Sequence, residues 1–349
     1  MSPDLLSLAV ALGEALEDRD LSGKSYTKLG MPGGVFSRVD FRNTDFSGSD
    51  LRESVFDQCN FDGANFSGAA LGRATFNRCS LVETCFENAS LHAAVFNECF
   101  MMRARLAQAD VAMTSFNGSK LQSAGFRQAR MHSTIVTKCD LSNAWFDDAS
   151  LNMATFAECE LVGASWKQAT FERTLFFKSS LPGFSVPGQT LRGCQFAGVD
   201  LTGADFSGSH IAQCNFQGAK LQAAQFDCAI GQNAIFCEAD AQGARFIDAN
   251  LTQSLFTGAK LAAAIFAGAR LYQVHFAKAT LTAANFLDAD LTYADFSHAD
   301  LTGALMEGAT MFRTKLHLAK TENASIARGA ALGTDEALAR AESWRAVPV

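Results

Sequence analysis

Residues 281–304 have the sequence LTAANFLDADLTYADFSHADLTGA, in which a large apolar residue returns at every fifth position. These residues, which we call centres, are Leu281, Phe286, Leu291, Phe296 and Leu301. The residue two places before each centre is alanine, and the other positions are mostly polar. A period of five matches neither an α-helix, with about 3.6 residues per turn, nor a strand, with about two. It predicts instead a chain that turns a corner every five residues.

The same frame extends from about Val35 to Lys320, with centres at numbers that end in 1 or 6. The residue two places before a centre, which we call the corner residue, is Ala, Cys, Ser, Thr, Gly or Val outside residues 181–190. Both must point inward, because residues two apart lie on the same side of an extended segment. The centre therefore fills the interior, and the corner residue is small because the corner leaves no room.

Units such as residues 204–208 (ADFSG) and 299–303 (ADLTG) resemble the pentapeptide-repeat family, whose consensus is A(D/N)LXX. The resemblance implies an all-β solenoid, a right-handed quadrilateral β-helix with four units per coil. At about 20 residues per coil, the repeat would form about 13 coils in two segments. Successive coils are expected to stack as β-ladders about 4.8 Å apart.

The cysteines show a second period, which supports four units per coil independently of the resemblance. Five of them occupy corner positions separated by multiples of 20: Cys59, Cys79, Cys99, Cys139 and Cys159. At a tight corner, cysteine acts as a small hydrophobic residue. The sequence contains no C-x-x-C pair and no histidine at ligand spacing, so it predicts no metal site. Many unpaired thiols suit a reducing compartment.

Residues 181–190, LPGFSVPGQT, break the corner rule and divide the repeat. Phe184 and Gln189 occupy corner positions, while Pro182 and Pro187 lack a backbone N–H for the ladder. We predict a loop or bend here, joining a first segment at 35–180 to a second at 191–320. The 20-residue spacing of later cysteines favours a break that shifts the coil by 15 residues. The alternation of Leu and Phe centres favours a shift of 10 or none.

Short helices are predicted to cap both ends. Ser2 and Pro3 form an N-cap and a favoured first helical residue, so residues 1–34 are assigned to a helix and an entry turn. Residues 321–349 are assigned to the end of the coil and a helix from about Asp335 to Trp344. Leu338 and Trp344 of that helix would cover the last coil or mediate dimerisation.

The sequence shows no catalytic constellation, phosphate-binding loop or cofactor motif, so it predicts a noncatalytic protein without cofactors. The net charge of −7 comes from 29 basic and 36 acidic residues spread along the chain, which argues against direct nucleic-acid binding. No apolar run reaches the 18 or so residues of a membrane span, and no secretory signal is evident. A cytoplasmic location is expected, with secretion as an effector as the alternative.

Two outward-facing groups of residues are candidate partner sites. The first is an apolar stripe of residues spaced by multiples of 20, centred on Val55, Val95, Ile135 and Leu175. The alternative explanation of this stripe is simple β-propensity. The second is an acidic patch without nearby basic residues in the sequence, made of Asp288, Asp290, Asp295, Asp300 and Glu307.

Together these features predict a protein–protein interaction scaffold. The family resemblance implies two biological settings: an accessory protein or effector of a bacterial secretion system, or a DNA mimic that binds DNA gyrase and protects it from quinolones.

Overall fold

The computed structural model of the protein describes residues 1–326 and 331–343. The chain divides into two compact units, Met1–Ser185 and Val186–Val349. Within each unit, a residue pairs in parallel with the residue 20 positions later, as Val35 does with Val55 and Asp240 with Lys260. A coil therefore takes four five-residue units, and the predicted all-β solenoid is confirmed.

The first unit, all of which is described, begins with helix α1 (Pro3–Ala11), capped by the Ser2 hydroxyl. It contains a parallel sheet of nine strands, one from each successive coil. These are β1 (Ala15–Glu17), β2 (Val35–Ser37), β3 (Val55–Asp57), β4 (Thr75–Asn77), β5 (Val95–Asn97), β6 (Ser115–Asn117), β7 (Ile135–Thr137), β9 (Thr155–Ala157) and β11 (Leu175–Phe177). On another face, β8 (Ser150–Asn152) pairs with β10 (Thr170–Glu172).

The second unit contains β12 (Leu191–Arg192) and helix α2 (Glu336–Ser343). Its coils are joined by single β-bridges rather than by longer strands. One ladder of such bridges runs through Thr190, His210, Ile230, Asn250, Arg270, Asp290 and Thr310. Neither helix in the described ranges is long and apolar enough to cross a membrane.

The centres form columns of like side chains in the interior. Phe56, Phe76 and Phe96 stack with ring centroids 4.8 Å apart, and Phe216 and Phe236 do the same in the second unit. This spacing equals the separation of neighbouring strands, so ring stacking and backbone hydrogen bonding are satisfied together. The alternation of Leu and Phe along the chain thus places Phe above Phe.

Each corner depends on a left-handed residue two places after a centre. Examples are Asn43, with a φ of 55°, and Gly208, with a φ of 65°. A non-glycine residue in this conformation costs about 1–2 kcal/mol. The conformation lets the Asn43 N–H donate to the Asp62 carbonyl of the next coil at 2.9 Å. Hydrogen bonds between coils therefore offset the strain.

The first coil begins earlier than the sequence predicted, at β1 rather than near residue 35. Leu16 pairs with Phe36, and Leu21, Tyr26 and Met31 are buried as centres. The five-residue frame is present here, but the corner positions hold Glu14, Arg19 and Lys24 in place of small residues. These long side chains are tolerated because they are exposed at the end of the unit. The predicted entry turn is thus a coil.

Residues 181–190 do not form the predicted loop, because they make two ordinary five-residue units. Pro182 and Pro187 are each followed by a glycine with a φ near 70°, namely 69° at Gly183 and 68° at Gly188. A type II turn requires a residue with a positive φ at its third position and often has proline at its second, which is the combination found here. The large corner residue Phe184 is buried against aromatic rings of the first unit, with its ring centroid 5.6 Å from that of Trp166. The two prolines therefore form part of the corner turns and do not interrupt the repeat.

Candidate functional site

The predicted apolar stripe is one column on the outer face of the nine-stranded sheet. Parallel pairing places Val55, Val95, Ile135 and Leu175 in line with the intervening residues Thr75, Ser115 and Thr155. The column also gains Val35, one coil earlier, which is 46 % exposed. Ile135 is 48 % exposed, and the other members are partly exposed. The β-branched residues offer rigid side chains to solvent.

A second column runs beside the first, on the opposite edge of the same strands. It consists of Ser37, Asp57, Asn77, Asn97, Asn117, Thr137, Ala157 and Phe177. Asn97 donates from Nδ2 to Oδ1 of Asn77 at 2.9 Å, and Asp57 pairs with Arg78 at 3.2 Å. Phe177 is 42 % exposed next to Leu175. We call the two columns together the sheet face. Asp57 is the one charged residue among its sixteen, and the face becomes more apolar toward Phe177.

The sequence analysis missed a groove of about 480 Å³ on another face of the first unit. Its floor is Gly125, over which the exposed ring of Trp145 lies. Arg127 stacks on this ring, with its guanidinium 5.1 Å from the ring centroid. Arg105, one coil on the other side of Gly125, pairs with Glu87 at 3.0 Å. The sequence indicates this groove, because the small residue Gly125 lies 20 positions after the large residue Arg105 and 20 positions before the large residue Trp145.

The predicted acidic patch is not one surface. Asp290, Asp295 and Asp300 are five residues apart, so they lie on three different faces of one coil. Lys315 stacks on Asp295, and Lys320 stacks on Asp300, each at 3.7 Å. These bases were distant in the sequence, but the coil places them next to the acids. The acids also accept hydrogen bonds from residues of their own turns, as Asp295 does from Ser297. The structure therefore gives them local partners.

Helix α2 begins at Glu336, close to the predicted start. Leu338, a predicted cap or dimer contact, is 46 % exposed and lines a groove with His317 and Leu332. Trp344, its predicted companion, lies outside the described residues. The dimerisation role of this helix stays a prediction.

The cysteine ladder satisfies backbone carbonyls of the neighbouring coil. Cys79 donates from its thiol to the Phe56 carbonyl at 3.4 Å, and Cys99 donates to that of Phe76 at 3.3 Å. Ser119, which interrupts the cysteines, makes the same contact to the Phe96 carbonyl at 3.3 Å. Burial raises the pKa of Cys139 to about 12, so its thiol stays protonated at neutral pH. These thiols are structural rather than reactive.

Thiol labelling at pH 8 should therefore be restricted to two of the ten cysteines in the native protein. Cys228 is exposed and Cys237 is partly exposed, whereas the other eight are buried. We expect rapid modification of Cys228 by a thiol reagent, slower modification of Cys237, and reaction of the rest after denaturation. The variant Cys228→Ser should lose the rapid phase. Rapid labelling of any ladder cysteine in the folded protein would contradict this account.

Three potential metal ligands meet near α2, where the sequence predicted none. They are His298, His317 and Glu342, whose ligand atoms all lie within 4.8 Å of one another. The two histidines lie on adjacent coils, and the His298 N–H donates to the His317 carbonyl at 2.8 Å. Their separation of 19 residues was recognisable as one coil less one residue. The third ligand, Glu342, belongs to α2, and the repeat does not predict where this helix lies.

The family model described as pentapeptide repeats matches the chain in eight copies. They cover residues 31–58, 59–97, 84–122, 169–208, 188–218, 214–253, 254–292 and 269–308. No curated protein matches the chain.

Two solved structures illustrate what the chain is similar to. Full-length QnrB1, a plasmid-mediated fluoroquinolone resistance protein, is 21% identical and has a TM-score of 0.39, with 56% of this chain and 92% of QnrB1 covered. HetL, a pentapeptide-repeat protein of the cyanobacterium Nostoc sp. strain PCC 7120 involved in heterocyst differentiation regulation, is 19% identical and has a TM-score of 0.18. That comparison covers 92% of this chain and 96% of HetL. Similarity at this level carries no argument about function. Because the family model matches more than half of its residues, the chain belongs to the pentapeptide-repeat family.

Proposed function

We propose that this protein is a noncatalytic scaffold that binds a partner protein on the sheet face. The observation that carries the proposal is the continuous column from Val35 to Leu175, in which eight consecutive coils present an uncharged residue outward. Outward positions of a solenoid are usually polar, because they meet water. A run of apolar and β-branched residues there is typical of an interaction surface.

The physical properties of the sheet face suit a protein partner. Its backbone is held by ladder hydrogen bonds on both sides of the strands from β2 to β9 in this sheet and on one side of the edge strand β11, so binding requires little ordering of the scaffold. The aromatic residue Phe177 lies at one end beside Leu175, and exposed aromatic residues often contribute strongly to binding. The groove under Trp145 lies on a different face and could serve a separate contact.

The charge distribution favours a scaffold over a DNA mimic. Acidic side chains of one coil pair with basic side chains of a neighbouring coil in both units. Examples are Arg38 with Asp18 at 2.7 Å, Arg103 with Glu83 at 2.6 Å and Arg245 with Asp227 at 2.8 Å. Such pairs neutralise the surface, whereas a mimic of DNA needs unpaired negative charge. If the protein is a scaffold and not a DNA mimic, it should neither inhibit DNA gyrase nor protect it from quinolones in a supercoiling assay. Service in a secretion system remains an implication of the family resemblance.

Introducing charge into the sheet face should abolish partner binding. We expect the double variant Val95→Asp and Ile135→Asp to weaken recovery of the partner at least roughly tenfold, because two carboxylates would have to be desolvated in the interface. The measurement is affinity recovery from the native cell followed by quantitative mass spectrometry. Thermal unfolding of the variant shows whether the fold is retained.

A matched control places the same charges on a neighbouring face. Ser90 and Ser150 occupy the equivalent outward position and are exposed, so the variant Ser90→Asp and Ser150→Asp should recover the partner like the native protein. Equal recovery by both double variants, with both folded, would mean that the column is an ordinary β-surface and that the proposal is wrong.

A further inference from the structure

We propose that His298, His317 and Glu342 form a binding site for Zn²⁺ that fastens helix α2 to the coils of the second unit. His298 and His317 come from adjacent coils, and Glu342 comes from α2. Oε2 of Glu342 lies 3.2 Å from Nε2 of His298 and 3.4 Å from Nε2 of His317. One carboxylate oxygen thus faces both imidazole rings.

These distances agree with tetrahedral coordination. Bonds of about 2.0–2.1 Å to nitrogen or oxygen place two tetrahedral ligand atoms about 3.3 Å apart. Both contacts of Glu342 have this length. The ligand nitrogens of the two histidines lie within 4.8 Å of each other, so the distance between them has to shorten by at most about 1.5 Å to fit a tetrahedron. His298 is the ring able to move, because its side chain is 36 % exposed and that of His317 is 7 % exposed.

The ligand types favour zinc over the abundant hard cations. Two imidazoles and a carboxylate suit Zn²⁺ and, by the general order of affinities, Ni²⁺ and Cu²⁺. Mg²⁺ and Ca²⁺ prefer sites made of oxygen atoms. The nearby cation Lys315 is paired with Asp295 at 3.7 Å, so the acid partly compensates for its charge. Three protein ligands would leave one coordination position for water.

Zinc binding requires a change of tautomer at His317. Nδ1 of His317 accepts a hydrogen bond from the Asp335 N–H at 3.1 Å, so in the metal-free neutral ring the proton is on Nε2. When Nε2 binds Zn²⁺, this proton is lost from Nε2 and Nδ1 takes up a proton. The ring stays neutral, and Nδ1 can no longer accept from Asp335. The carboxylate of Asp335 still caps α2, because Oδ1 accepts from the N–H groups of Ala337 and Leu338. Metal binding should therefore break one identifiable hydrogen bond and leave the helix cap in place.

The test is calorimetric titration of the full chain with ZnCl₂ alone at neutral pH. We expect one high-affinity ion per chain and a higher melting temperature with zinc. The variants His298→Ala and Glu342→Gln should each lower the affinity by roughly tenfold or more, since each removes a ligand. His317 is left intact because it is buried. The control His210→Ala removes an exposed histidine elsewhere and should bind like the native protein.

A second measurement detects the predicted change at His317 itself. In NMR spectra, the Asp335 amide resonance of the native protein should shift as zinc is added, and Glu342→Gln should need roughly tenfold more zinc for the same shift. Three results would overturn the proposal: no stoichiometric binding, binding by both ligand variants that is as tight as that of the native protein, or a loss of affinity in His210→Ala equal to that of the ligand variants. The last would show that scattered histidines bind zinc nonspecifically.

Discussion

Replacement of Phe76 by alanine is expected to destabilise the first unit by about 3–5 kcal/mol. Phe76 is completely buried, and its ring stacks at 4.8 Å on both Phe56 and Phe96. It also makes edge contacts with rings of adjoining faces, such as that of Phe61 at 5.8 Å. Removing the ring leaves a cavity that the coils cannot close, because ladder hydrogen bonds hold their backbones at a fixed spacing.

Urea unfolding followed by circular dichroism measures this effect. Phe76→Leu should cost less than Phe76→Ala, because leucine is itself a common centre and fills more of the space. Phe100→Ala is the matched surface control: Phe100 is 43 % exposed and contacts Lys120 through a cation–π interaction at 5.3 Å. It should cost no more than about 1 kcal/mol. If Phe76→Ala and Phe100→Ala were equally mild, the stacked rings would not be the source of stability.

The position of Phe76 also predicts which strands lose most stability in the Phe76→Ala variant. A solenoid is stabilised by contacts between neighbouring coils, so a defect weakens adjacent coils first. Hydrogen exchange should accelerate most in β3, β4 and β5 in the Phe76→Ala variant. Uniform acceleration across the first unit would instead indicate that the unit unfolds as one cooperative body.

The interior of the fold was predictable because its causes are local in sequence. Whether a residue is a centre or a corner depends on its place in a five-residue unit, so Phe76 and Ala74 could be assigned without coordinates. Exceptions came from ends and turns. The first coil was not predicted because its corner positions hold Glu14 and Arg19. A corner that is exposed to solvent does not require a small residue. Pro182 predicts a break because it lacks a backbone N–H, although proline followed by glycine is suited to the corner itself.

The surfaces were predictable only where the period of 20 applied. That period placed Val95 and Ile135 in one column, and the structure agrees. The same period places Asp290 and Asp295 on different faces, so the predicted acidic patch is wrong. The groove at Trp145 depends on how a large ring lies over a glycine. The His298 cluster depends on the contact of α2 with the coils, which has no repeat to predict it.

Replacement of Ala264 by leucine should be strongly destabilising although it adds apolar volume. Ala264 is a corner residue with no exposed surface. Its N–H donates to the Leu261 carbonyl at 3.0 Å, and its carbonyl accepts from the Asn285 N–H at 2.9 Å, so the backbone cannot move away. Three added carbons would have to displace neighbouring centres or open these hydrogen bonds. We expect a loss of about 1–3 kcal/mol or more from overpacking.

Ala267→Leu provides the matched control, because Ala267 follows the centre Phe266 and is partly exposed. The same three carbons should be accommodated there with a change within about 0.5 kcal/mol. Chemical denaturation of both variants, followed by circular dichroism, measures the difference in the free energy of unfolding. If Ala264→Leu were as stable as Ala267→Leu, the corner would have unused space. The prevalence of alanine at corner positions would then need a cause other than steric exclusion. Steric exclusion of larger side chains is the link between the five-residue period of the sequence and the folded coil.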